Sequence, residues 1–295
     1  MIPTFTRVDD VRAWRAAERG AGRTVGLVPT MGGLHAGHLS LIDTARRDVD
    51  TVIISVFVNP TQFGPAEDLD AYPRDLDTDL ALSAARGAEA LFAPSVPEMY
   101  PSPQTVWIDP GPLAERLCGL SRPGHFRGML TVVAKLLGIV EPEAAVFGRK
   151  DFQQSVLVGR MVAELGFGTR FLVSPTIRDP DGLALSSRNA YLTPGERDRA
   201  LTLSSALRRA RARFAQGERD PGRLARAGRE LLEETGIEVE YVEIVRAGTL
   251  VTPETAEPAH VCAVAARVGS TRLIDNETLG EPSALDRLPA DGGDG

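Results

Sequence analysis

Short apolar runs alternate with longer amphipathic stretches from the start of the chain to Pro175. The runs at 24–30, 51–59, 89–95, 105–110, 144–148 and 169–175 are mostly bounded by Gly, Pro, Asn or Asp, which is how strands read. Between most of them apolar positions recur at helical spacing, over 37–48, 75–86, 126–140 and 151–165. In the last stretch Val156, Leu157, Met161 and Leu165 form one stripe beside Arg160 and Glu164. The run "VIISVFV" is apolar without alternation, as a strand covered on both faces must be. This pattern predicts an α/β fold: a Rossmann-like, doubly wound and mainly parallel sheet with helices on both faces.

After Pro175 the texture changes. A polar, turn-rich connector over 177–200 leads into helical patterns at 194–216 and 220–235, rich in Arg, Ala, Leu and Glu. Strand patterns at 237–245, 259–268 and 271–276 follow. The expected domains are 1–176, the Rossmann-like part that binds the ligands, and 177–278, a smaller α+β part that closes over the site. Residues 279–295 lack an apolar period and are expected to be a disordered tail.

Composition narrows the function classes. Lys plus Arg number 33 against 40 for Asp plus Glu, a net charge of −7, which argues against general nucleic-acid binding. Cys118 and Cys262 stand far apart in no metal-ligand spacing and read as reduced, packed thiols. The N-terminus shows no signal peptide, and the apolar run at 129–140 is interrupted by Lys135 and too short to span a bilayer. The expectation is a cytoplasmic protein without membrane or nucleic-acid partners.

The chemistry begins at "VGLVPTMGGLHAGHLSLI", where two of the chain's four histidines, His35 and His38, follow a strand-like run. Ligands of doubly wound sheets bind at the carboxyl ends of strands. Gly32 and Gly33 permit a tight turn and close approach, and a helix N-terminus near His38 offers free N–H groups to an anion. Phosphate recognition is one reading, a solvated loop with incidental histidines a second. A metal pair is the third, although H-x-x-H lacks the zincin register and its adjacent acid.

The segment "GLHAGHLSLI" resembles the HIGH signature of the nucleotidyl-transferring superfamily that includes class I tRNA synthetases and cytidylyltransferases. With "VFVNPTQFGPAEDLDAYPR", "RPGHFRGMLTVVAKL", "FGRKDFQQ" and "DGLALSSRNAYL", in that order, the chain is similar to the pantoate–β-alanine ligase family from residue 1 to about 278. That resemblance implies ATP- and Mg²⁺-dependent condensation of pantoate with β-alanine through a pantoyl-adenylate, in a homodimer. No metal is expected on protein ligands; Mg²⁺ is expected on ATP phosphates and water. Arg149 departs from the family, which usually has an acidic or amide residue there.

By the same resemblance, His35, His38, Lys150, Ser186, Ser187 and Arg188 carry the chemistry. Met31, Gly148 and Asp151 join His38, Lys150, Ser187 and Arg188 around ATP. Gln62 and Gln154 read the pantoate hydroxyls, while Pro29, Met31 and Phe63 pack its gem-dimethyl group. Alternatives stay open for several positions: Asp151 is a ribose ligand or a helix N-cap, and unaided Gln154 reads as a solvent-facing helix residue. His125, with Arg122 and Arg127 in "RPGHFRG", either borders the site or is a structural histidine at a helix start. Tyr72 and Arg74 either border the site or brace a helix start. Asp75, Asp77 and Asp79 either attract Mg²⁺ or serve a helix dipole. His260 reads as a structural strand residue. The rival functions are a nucleotidyltransferase, which wants basic residues where Gln62 and Gln154 stand, a tRNA synthetase, and a catalytically dead nucleotide sensor.

Overall fold

In the computed structural model, residues 2–65 and 67–283 are described. They form two compact units. Among the described residues, the first comprises those up to Glu115, Arg122–Arg149 and Gln154–Pro175; the second comprises Arg116–Ser121, Lys150–Gln153 and those from Thr176 to 283.

The first unit carries strands β1 (Thr4–Phe5), β2 (Val25–Thr30), β3 (Thr51–Val56), β4 (Ala90–Phe92), β5 (Ala144–Gly148) and β6 (Arg170–Ser174). They pair in parallel in the order β1-β4-β3-β2-β5-β6. Helices α1 (Val8–Gly20), α2 (Ala36–Arg46), α3 (Leu76–Arg86) and α4 (Val96–Met99) accompany them. A four-residue helix of the second unit, α5 (Cys118–Ser121), precedes α6 (His125–Val140), and α7 (Phe152–Glu164) follows β5. Helices α2 and α3 pack on the sheet, and their core joins Leu41, Ile42 and Ala45 to Val28, Val52, Ile54 and Val146. Phe92, Ile53 and Ile54 are fully buried, each contributing about 1.5–3 kcal/mol of transfer free energy. The parallel α/β fold read from the apolar runs is the one observed.

Strand order reverses between β2 and β5. The chain leaves β2 towards β3 and β4, then crosses back to β5 and β6 on the other side. A crevice opens at such a reversal beyond the carboxyl ends, where no crossover covers it. Met31–His35 leave β2 there, and Gly148 ends β5 there.

The second unit is an antiparallel sheet, β7 (Glu238–Val245), β8 (Val261–Val268) and β9 (Thr271–Thr278), with α8 (Pro194–Ala215) and α9 (Pro221–Glu234) packed on it. Thr193 starts α8 with a reciprocal cap: its Oγ1 accepts from Glu196 N at 3.3 Å and Glu196 Oε2 accepts from Thr193 N at 2.9 Å. Leu203, Leu207, Leu224, Leu232, Val264 and Leu273 fill the core. Cys118 and Cys262 are both buried free thiols, and burial pushes Cys262 up to about 12.

Four expectations are corrected. Residues 105–110 form no strand: Ile108 N donates to Thr131 Oγ1 at 3.1 Å, Trp107 lies under the Arg127 guanidinium, and Val106 is exposed. A run ended by Asp-Pro with no ladder partner is satisfied by side chains of α6 instead. Strand β1 and helix α1 stand where no element was expected. The expected tail begins too early, because Leu279 is buried and exchanges backbone hydrogen bonds with Ala259 and His260; residues 284–295 lie outside the described residues. His260 precedes β8 rather than lying in it, and its Nδ1 accepts from Glu257 N at 3.0 Å.

Candidate active site

The turn after β2 is fixed by one carboxylate. Gly32 and Gly33 have φ of 87° and 62°, and a Cβ on Gly32 would meet Asp79 Oδ2 at 2.9 Å. Asp79, buried in α3, accepts from Gly33 N at 3.0 Å and Leu34 N at 2.7 Å. Burial pushes its carboxyl above the usual range despite those two donors. Of the acids suggested as a Mg²⁺ attractor, Asp79 is therefore occupied with backbone. Asp75 is likewise the N-cap of α3, accepting from Thr78 N at 3.1 Å. Among the described residues no cluster of three or more metal-ligating side chains occurs.

The turn delivers both histidines to the N-terminus of α2. His35 is the N-cap residue, its Nδ1 accepting from Gly37 N at 3.1 Å. The His38 ring lies against it with centroids 4.1 Å apart. Acceptance at Nδ1 requires that nitrogen to be unprotonated, so a neutral His35 carries its proton at Nε2. Two imidazoles and the N–H end of a helix thus share one place, suited to an anion.

Gln62 sits in a 3-10 turn, Pro60–Gln62, beyond β3 and is buried. Its amide is oriented from one side: Asn59 Nδ2 donates to Gln62 Oε1 at 3.0 Å, leaving Nε2 towards Met31 Sδ at 3.2 Å. Asn59 is itself held, its Oδ1 accepting from Tyr100 OH at 2.9 Å and its Nδ2 reaching Gly128 O at 3.3 Å. His125, the first residue of α6, places Nδ1 2.8 Å from Gln62 O and Nε2 3.0 Å from Arg122 Nη1. A carbonyl only accepts, so Nδ1 carries the proton and Nε2 takes one from Arg122. Arg122 also pairs with Glu67 at 2.6 Å. His125 thus donates to the Gln62 backbone carbonyl. Phe63 meets the buried Tyr72 edge-on at 6.1 Å, and Arg74 donates to the carbonyls of Leu69 and Asp70.

A cavity of about 450 Å³ opens along the carboxyl ends of β3 and β4, with Met31, Phe57, Pro60, Arg74 and Pro94 in its wall. Pro29 and Met31 are half-buried, as is Gln154 on α7. Gly148 has room to spare: an added Cβ would find only Leu41 Cδ2, at 3.9 Å.

Lys150 and the Ser186–Arg188 turn belong to the second unit. The Lys150 side chain is 19% exposed, with Nζ 3.7 Å from Asp151 Oδ1. Its carbonyl accepts from Asn276 Nδ2 at 2.9 Å. Ser186 caps the 3-10 turn Ser187–Tyr191, its Oγ accepting from Arg188 N at 3.3 Å. This hydroxyl still has a proton to give, so capping does not remove Ser186 as a donor. Arg149 donates its backbone N–H to Ser174 O at 2.8 Å.

Asn59, Tyr100 and the loop-holding role of Asp79 were not read from the sequence. The Asn-Pro dipeptide at 59–60 is a turn-start signal that pointed to Asn59. Nothing local pointed to Tyr100, 41 residues away from its partner.

Comparison with known proteins places nearly the whole chain in one family. The family described as pantoate-beta-alanine ligase matches residues 3–278. Pantothenate synthetase 1 of Bradyrhizobium diazoefficiens is 49% identical over 280 residues, covering 94% of this chain and 98% of that protein. Pantothenate synthetase of Myxococcus xanthus is 49% identical over 285 residues, covering 95% and 97%. The crystal structure of pantothenate synthetase from Thermus thermophilus superposes with a TM-score of 0.88 at 44% identity, covering 94% of this chain and 99% of that one. A pantoate-beta-alanine ligase from Francisella tularensis, complexed with beta-gamma ATP and beta-alanine, gives 0.79 at 34% identity, covering 94% and 98%.

Proposed function

Because the chain belongs to the pantoate-beta-alanine ligase family, we propose a division of the reaction among its residues. The enzyme is a ligase: with ATP it joins pantoate to β-alanine through a new C–N bond, in pantothenate biosynthesis.

In the first step a pantoate carboxylate oxygen bonds to the α-phosphorus of ATP and the bond to the β-phosphate oxygen breaks, giving pantoyl-adenylate and pyrophosphate. A carboxylate is already nucleophilic at neutral pH, so alignment and charge compensation are the main demands. His35 and His38 donate to ATP phosphates; the close, tilted pair of rings at the α2 N-terminus is the observation that carries this reading. Lys150, Ser186, Ser187 and Arg188 compensate the charge that grows on the leaving pyrophosphate. Gly148 lets ATP approach the end of β5, Met31 borders it, and Asp151 takes the ribose. Gln62 and Gln154 read the pantoate hydroxyls beside Pro29, Met31 and Phe63. Mg²⁺ enters as part of the ATP substrate, in keeping with Asp75 and Asp79 being engaged by backbone. In the second step the β-alanine amine bonds to the acyl carbon and loses a proton as AMP leaves. A homodimer and a cytoplasmic location complete the proposal on the family resemblance; sedimentation velocity and cell fractionation test them. No described helix is long and apolar enough to cross a membrane.

Lys150→Ala separates the two steps. A fixed ammonium on the leaving pyrophosphate stabilises the transition state more than the ground state, so its loss slows adenylation by about 10²- to 10³-fold. Pyrophosphate is gone in the second step, and supplied pantoyl-adenylate is still converted at a substantial rate. Single-turnover assays of each half, on protein with wild-type circular dichroism, decide it. Equal losses in both halves remove Lys150 from the leaving phosphates.

A further inference from the structure

Lys150 emerges directly from a strand of the first unit, yet its resolved tethers lie in the second. Asn276 Nδ2, on β9, donates to the Lys150 carbonyl at 2.9 Å across 126 residues of sequence. Three residues later Gln153 ties the same segment again, accepting from Cys118 N at 3.0 Å and donating to Arg116 O at 2.7 Å. Asn276 is 3% exposed and Gln153 5%, so both amides are confined by packing.

The neighbouring residue on β9 anchors the other phosphate-directed segment. Asp275 accepts from Arg178 at 2.6 and 2.9 Å, and its Oδ1 also takes the Asn276 N–H at 2.8 Å. Arg178 donates in turn to Glu277 at 2.8 Å and to Gly182 O at 3.2 Å. It closes a small antiparallel turn with Ala184, two residues before Ser186. Strand β9 also packs against the Ser187–Tyr191 turn.

We infer that Asn276 is a positioning residue for Lys150, set on the strand that anchors the Ser186–Arg188 connector through Asp275. A carbonyl held by a buried amide fixes the backbone at Lys150, leaving only side-chain torsions between that fixed point and Nζ. Consecutive residues of one strand therefore set the spacing between the lysine and the Ser-Ser-Arg turn. A displacement of about 1 Å in such a constellation costs up to about 10²-fold in rate. The inference rests on the phosphate role proposed for Lys150.

Asn276→Asp keeps the shape of the side chain and deletes the donor; Asn276→Ala deletes the whole amide. Pantoate-dependent exchange of labelled pyrophosphate into ATP reads adenylation. The expected result is a loss of about tenfold or more in exchange, with a raised KM for ATP and an unchanged KM for pantoate. Conversion of supplied pantoyl-adenylate is expected to stay near wild type. In a Lys150→Ala background the Asn276 substitutions are expected to cause no further loss, because they act through that lysine. Wild-type exchange in a folded variant, or a full additional loss without Lys150, overturns the inference. Loss of fold in both variants, seen by circular dichroism, also overturns it by assigning Asn276 to stability alone. Normal exchange by Lys150→Ala itself sinks the phosphate role instead, a separate and distinguishable result.

Discussion

The two units hold their candidate ligand groups by different physics. In the first, the supports are chiefly hydrogen bonds onto backbone: Asp79 to the Gly33 and Leu34 amides, His35 to Gly37, and His125 to the Gln62 carbonyl. In the second, buried amides hold the Lys150 segment, and ion pairs anchor the connector and the sheet: Arg178 with Asp275 and Glu277, Arg272 with Glu240, and Arg197 with Asp179 and Asp181. Hydrogen bonds to backbone specify the path of a turn. Buried ion pairs specify which strand a distant segment joins, and fail badly when one partner is lost.

The largest break in that comparison is Arg178→Ala. Its guanidinium is 4% exposed between carboxylates that are themselves 3% and 13% exposed. Burial alone would pull the Arg178 pKa down, and Asp275 and Glu277 more than reverse it. Removing the cation strands two carboxylates and is expected to cost about 3–5 kcal/mol. Both tryptophans, Trp14 and Trp107, lie in the first unit. The variant should therefore show an early melting step in far-UV circular dichroism that tryptophan fluorescence does not share. A wild-type melt by both signals would mean that the pair does not hold the second unit.

The first unit breaks by crowding instead. Gly128 of α6 faces the Pro60–Gln62 turn so closely that an added Cβ would fall on the Thr61 carbonyl, with Gln62 N only 2.9 Å away. Elsewhere in a helix Gly→Ala stabilises by up to about 1 kcal/mol. Here Gly128→Ala is expected to reverse that sign and cost about 1–3 kcal/mol through overpacking. Because the displaced turn carries Gln62, KM for pantoate should rise while KM for ATP holds. Steady-state kinetics with each substrate varied decides it, and a stabilised variant with unchanged constants refutes the contact.

The same contrast explains what was legible in the sequence. Strands β2 and β3 announced themselves, because burial on both faces leaves little but Val, Ile and Leu, and Gly32 and Gly33 marked the turn that leaves β2. Helix α1 hid behind its charges: Arg15 and Glu18 are buried on it, paired with Glu143 and Arg23, so its apolar stripe is broken. Strand β1 is two residues long and has no period to read. Family resemblance supplied Lys150 and Ser186–Arg188 as candidates, but nothing local reveals that 116–121 and 150–153 cluster with the C-terminal sheet. That membership rests on Gln153, Cys118, Tyr241 and Asn276, whose partners lie 35 to 126 residues away. Periodicity sees neighbours in sequence; such pairings are set only when the chain closes.

The smallest expected effect tests the exception, the ion pair beside the site in the first unit. Burial pushes the Glu67 carboxyl up, but two short bonds from Arg122, at 2.7 and 2.6 Å, hold it net below the usual range. A carboxyl lowered in the folded state contributes stability above its ordinary pKa, about 4.3, and loses that contribution as pH falls through the folded value. The pair is partly exposed, so the contribution is about 0.2–1 kcal/mol. Glu67→Gln should melt slightly below wild type by tryptophan fluorescence, by a constant margin from about pH 7 to pH 5. That margin should close as the wild-type carboxylate takes up its proton below the ordinary carboxyl range. A margin that persists undiminished at acid pH would show that Glu67 acts by shape and hydrogen bonding alone. The first unit would then owe nothing to charge at this turn, and the contrast with the second would be complete.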